Sequence, residues 1–133
     1  MSTLSKILAA KIVLTVAVWC IPLLLFPAEW LRRLGFPVPE PQLFLRLLGM
    51  AYTALVVGYC FGLKASNRGE YPAGVVWVGI VSNGGAFMLL AIAAVLGAWA
   101  AWGTIAQTIM WGSLLGTGAI AAGLAWFGPR KQW

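Results

Sequence analysis

Residues 71–129 read YPAGVVWVGIVSNGGAFMLLAIAAVLGAWAAWGTIAQTIMWGSLLGTGAIAAGLAWFGP, with Glu70 before them and Arg130 after, and carry no charged side chain. As one straight helix such a run would extend about 90 Å at 1.5 Å per residue, about three times the thickness of a bilayer's hydrocarbon core. It must therefore reverse once. The reversal is expected at Gly97-Ala-Trp-Ala-Ala-Trp-Gly103, where glycines bracket the segment and Trp99 and Trp102 suit the headgroup level. This predicts spans over residues 72–96 and 104–127, with Pro72 in a first helical turn, where its missing N–H costs nothing.

Two further apolar runs precede these. Residues 7–26 predict a first span with Lys11 near its start and Pro22 near its end, and residues 43–63 a second with Arg46 one turn inside. The first run continues through Leu23, Leu24, Leu25 and Phe26 into Pro27 with no Ala-x-Ala cleavage site, so it reads as a retained span. Composition agrees: the chain is 62% hydrophobic and 9% charged, against about a quarter charged in soluble domains. The expected architecture is all-α, an integral membrane four-helix bundle forming a single membrane domain over residues 1–133, with the lipid bilayer as its first partner.

Between spans one and two, residues 27–35 place Trp30, Leu31 and Leu34 on one helical face and Glu29, Arg32 and Arg33 on the other. This predicts a short amphipathic helix lying in the outer interface with those apolar residues toward the membrane, started at Pro27 and ended by Gly35. The alternating prolines of Phe36-Pro-Val-Pro-Glu-Pro41 then exclude helix.

The net charge of +6 comes from nine bases at the ends of apolar runs, not from one stripe, so nucleic acid is not an expected partner. With four spans, Lys6, Lys11, Lys64, Arg68, Arg130 and Lys131 fall on one side, against Arg32, Arg33 and Arg46 on the other. The positive-inside rule then puts both termini in the cytoplasm. Histidine and aspartate are absent, which removes the usual proton shuttle and most ligand sets for zinc or haem; no cofactor and no metal are expected.

The layout from Leu25-Phe-Pro-Ala-Glu-Trp30 to Phe44-Leu-Arg-Leu-Leu-Gly-Met50 resembles small bacterial four-helix membrane proteins of the DoxX-like type, over about the first half of the chain. The resemblance implies that fold, a bacterial inner (plasma) membrane, and an accessory role such as that of small subunits beside quinone-linked oxidoreductases.

Small residues four apart allow helices to approach closely in lipid, which marks Gly58 and Gly62 in span two and Gly112 and Gly116 in span four for helix packing, within the bundle or in a homo-oligomer. Asn83, in Ser82-Asn-Gly-Gly85, sits near the middle of span three, where an unpaired amide is costly. It is expected to face another helix or a wet cavity. Ser82, Asn83, Gly84 and Gly85 are the first candidates for a ligand site.

Lys11 and Arg46 lie close enough to their span ends to snorkel to the interface. Cys20, Met50, Met88 and Met110 share a similar depth and have ligands soft enough for Cu(I), although methionine is also an ordinary gap filler. Cys20 and Cys60 lie too far apart in depth for a disulfide and are read as small packing residues. With no nucleophile beside a base, the chain is not expected to be an enzyme. The expected role is an accessory or scaffold subunit of a larger membrane complex; the alternative is a small-molecule transporter or hydrophobic-ligand binding protein. Glu29, Glu40 and Glu70 all lie in loops, which disfavours proton-coupled cation export.

Overall fold

The computed structural model describes residues 2–128; Arg130 and Lys131, counted in the orientation argument, lie outside the described residues. All regular elements among the described residues are helices. Four are long and apolar enough to cross a membrane: Thr3–Leu25, Leu43–Asn67, Ala73–Val95 and Thr104–Phe127. They are spans one to four below. Spans one and two pair along their length, as do spans three and four, and span one also touches span four.

Span one starts four residues earlier than its hydropathy suggests because Ser2 caps it, its Oγ accepting from the Ser5 N–H at 3.1 Å. The buried Ser5 hydroxyl bonds Ser66 Oγ at 2.9 Å, tying the start of span one to the end of span two. This defines the near face of the bundle. Beyond Thr15 the helix widens into a π turn at Val16–Cys20, where the Ile21 N–H reaches back to the Val16 carbonyl. Pro22 accounts for it: a proline ring clashes with the carbonyl four residues earlier and supplies no N–H to it, and the wider turn relieves both problems.

The far end of span one is completed from span two. Pro27 has no N–H for the Leu23 carbonyl, which a continuing helix would require. Arg46 donates from Nη1 to Leu23 O and from Nη2 to Phe26 O, both at 2.8 Å, and from Nη2 to Gln42 Oε1 at 3.0 Å. Arg46 therefore does not snorkel; it caps a neighbouring helix. Three residues on, Gly49 is buried, and a Cβ there would stand 2.9 Å from Leu24 Cγ. The Arg-x-x-Gly opening of span two is thus a docking device for the end of span one.

The two halves of the bundle are packed differently. Toward the near face, Leu4, Leu8, Tyr59, Val76 and Leu124 form a closed core. Gly62 lets span two approach Val75, where a Cβ would stand 2.6 Å from Cγ1, and Gly79 lets span three approach Leu124. Gly58, Gly112 and Gly116 have no atom within 4 Å of a Cβ position. Of the four glycines expected at helix contacts, only Gly62 makes one among the described residues; a small residue permits close approach but does not dictate which face turns inward.

The connection between spans one and two folds over the far end of the bundle as a cap. Its helix, Ala28–Arg33, ends in a Schellman motif: Gly35 at φ 89° donates to Arg32 O at 2.9 Å, and Phe36 donates to Leu31 O at 3.1 Å. Gly35 then meets Gly103 backbone to backbone, so closely that a Cβ on either would collide with the other's Cα. Gly103 N–H donates to Gly35 O at 3.1 Å and Ala106 N–H to Leu34 O at 3.0 Å, which satisfies donors at the start of span four. The cap is fixed to the turn between spans three and four. Leu31 is 6% exposed and faces inward, as does the half-buried Leu34, while Trp30 is exposed beside Phe26. The expected apolar face exists, but it divides between bundle and surroundings because these backbone bonds hold the segment onto span four.

The reversal falls at residues 96–103, as expected. Its tryptophans pack inward: Trp99 is 4% exposed and packs edge-on against Trp111, and Trp102 packs against Phe36 of the cap.

Candidate functional site

Beneath the cap the far half of the bundle is hollow. A cavity of about 420 Å³ is walled by all four spans, including Leu23, Tyr52, Leu90 and Met110, and roofed by Leu31, Leu34 and Phe36 of the cap with Trp102 of the turn. Leu48 of span two and Leu89 of span three line it and are also exposed, so the wall between those spans is open to the surroundings. A second cavity of about 330 Å³ runs between spans one and four toward the near face. The two share Val18, Trp19, Ile109, Ser113 and Thr117 as walls. The π turn supplies Val18 and Trp19, so the local widening forced by Pro22 sets residues at this junction.

The near end of the second cavity is polar. Lys11 lines it and donates from Nζ to Asn83 Oδ1 at 2.6 Å, with the Tyr59 ring centroid 5.9 Å from Nζ. Asn83, 1% exposed, donates from Nδ2 to Gly79 O at 2.7 Å. Its neighbour Ser82 shares a 2.9 Å hydrogen bond with Tyr59 Oη. Asn83 thus packs into the bundle and is satisfied by another helix, as expected. Lys11 does not snorkel: Asn83 is ten residues into span three, about 15 Å from its near end, and that is where the ammonium sits.

The hydroxyls that span four sets along the second cavity donate to their own helix, Ser113 to Ile109 O at 2.7 Å, Thr117 to Ser113 O at 2.8 Å and Thr108 to Thr104 O at 2.9 Å. Lys11 is consequently the charged donor at the wall. The three acids stand apart: Glu29 pairs with Arg33, Glu40 with Arg32, and Glu70 with Arg68 at 3.9 Å, all outside the spans.

Of the expected site residues, Asn83 and Ser82 join this polar network but line neither cavity. Gly84 and Gly85 belong to neither, and no atom approaches their Cβ positions within 4 Å. The hollow lies one turn further along span three, at Ala86, Leu89 and Leu90. Gly112 and Gly116, expected at a helix contact, line the second cavity, and Gly58 lines a surface groove between spans two and three. The four sulfur residues do not converge, since Met50 and Met88 are exposed while Cys20 is buried. Both cysteines are free thiols. The residues that sequence reasoning missed are Trp19, Tyr52 and Tyr59; an aromatic in an apolar span gives no sign of the side it faces.

Comparison of the chain with protein-family models, with curated proteins and with solved structures yields no match.

Proposed function

We infer that this chain is a non-enzymatic membrane protein that binds a hydrophobic small molecule in the hollow half of its bundle. One observation carries the reading: four spans and a dedicated cap surround about 420 Å³ of apolar space, within the range of small-molecule sites. Protein interiors ordinarily leave few voids larger than a water, and an apolar cavity of this size stays dry or takes an apolar guest. The exposed pair Leu48 and Leu89 gives a guest a route from the bilayer. We place the protein in a bacterial inner membrane with both termini cytoplasmic, on the balance of flanking bases and the DoxX-like layout. A periplasm-dependent reporter fused after Trp133 should then be inactive.

The test is photolabelling with an uncharged diazirine-bearing alkane. Labels should concentrate on cavity peptides carrying Leu45, Leu90 and Ile109, and Ala86→Trp, which fills the space, should remove them. Labelling spread evenly over lipid-facing residues in both proteins would refute the reading. An accessory or scaffold role has its own support in Gly58 and Gly112, which meet no neighbour in the single chain; a stoichiometric partner recovered in mild detergent would favour it.

A further inference from the structure

Lys11 is a cation set among apolar spans, in a chain whose three carboxylates are all engaged outside them. Its ammonium carries three donor hydrogens. Among the described residues it has one oxygen acceptor, Asn83 Oδ1, and a ring face at 5.9 Å. Neither brings a negative charge. Ionisable groups inside a membrane mark ligand or ion pathways and ordinarily have a partner, because an unpaired desolvated charge is costly. Lys11 also lines the second cavity, so an anion entering that cavity reaches it directly.

The walls specify the rest of that anion. Lys11 lines one cavity and Leu23 the other, the two share five lining residues, and span one covers about 18 Å of helix between them. Over that length Ser113 and Thr117 donate to their own backbone, and apart from Thr15 and Tyr52 the other lining side chains are predominantly apolar. One positive charge matches one negative charge, whereas a phosphate dianion would remain half unpaired. We propose that the two adjoining cavities together hold a long-chain carboxylic acid, its carboxylate on Lys11 and its alkyl tail directed toward the cap. This rests on the ligand-binding reading above and adds to it a head group, an orientation and a residue that selects for both. Asn83 is the positioning residue: its Oδ1 holds the ammonium at the cavity wall, and its own amide is held by Gly79 O.

Palmitic acid and hexadecanol share a tail and differ at the head, so their binding to the purified full-length chain in a mild non-ionic detergent, measured by equilibrium dialysis, separates the two claims. The acid should bind at least about tenfold more tightly than the alcohol, an energy difference within reach of one ion pair in a low-dielectric site. Lys11→Met should bring the acid to the level of the alcohol, and Lys11→Arg should keep the preference. Equal affinity in the wild type, or a preference that survives Lys11→Met, overturns the carboxylate assignment while leaving the cavity reading intact. Binding of neither molecule overturns both. Should Lys11→Met fail to fold, the wild-type comparison decides alone.

Discussion

Lys11 of the first span donates to Asn83 Oδ1 of the third at 2.6 Å, joining two residues 72 positions apart near the middle of the bundle. The contact changes the weight of both. An asparagine bonded across a membrane bundle by an ordinary neutral hydrogen bond contributes about 0.6 kcal/mol on average; here its loss would also strip a buried ammonium of its oxygen acceptor.

Asn83→Leu should therefore destabilise the protein by about 2 to 3 kcal/mol, the range for unpairing a buried charged group. The double substitution with Lys11→Met should recover most of that, because it removes the stranded charge as well. SDS-induced unfolding of the four proteins in a double-mutant cycle reads the coupling. Additive losses would show that the two side chains do not meet.

Arg46 bridges Leu23 O and Phe26 O with two different nitrogens. Arg46→Leu should cost about 2 kcal/mol or more, since the bonds are charge-assisted and the Leu23 carbonyl loses its donor. Arg46→Lys should restore little, because a single ammonium lacks the fork that spans both carbonyls. Full rescue by lysine in the same unfolding assay would contradict the capping role.

Gly35 and Gly103 touch through their backbones, whereas Gly112 meets nothing. Gly35→Ala and Gly103→Ala should detach the cap, and Gly35→Ala carries the added strain of an alanine at φ 89°. A spin label at Val38 should become markedly more mobile in both variants and stay unchanged in Gly112→Ala. Equal mobility in all three would mean that the cap is held elsewhere.

Much of the fold is legible in the sequence because hydropathy and helix punctuation are local. The uncharged stretch 71–129 forces a reversal, the bracketing glycines locate it, and Gly35 ends the cap helix where its place in the sequence suggests. Facing is not legible. Spans that are apolar all round carry no stripe to show which side turns inward, and in lipid the burial of apolar surface does not choose one. That is why Gly58, Gly112 and Gly116 look like contact residues and meet no neighbour among the described residues, and why nothing in the sequence shows that Trp99 and Trp102 pack against Trp111 and Phe36. Lys11 and Arg46 present the same difficulty: reach along one helix says they can get to water, and only the neighbouring helix supplies the acceptors that keep them in. The site was half visible. Asn83 marks its polar end by being out of place in hydrocarbon, but the hollow beside it comes from Pro22, the π turn and the cap acting together.

The ligand-binding proposal puts a hydrophobic molecule in the far half of the bundle. Native mass spectrometry of the protein purified in a mild detergent tests it most directly. A population carrying one small hydrophobic molecule per chain is expected, retained at collision energies that strip detergent and lost in Ala86→Trp. A bare chain mass for the wild type, or an adduct that persists equally in Ala86→Trp, would contradict it.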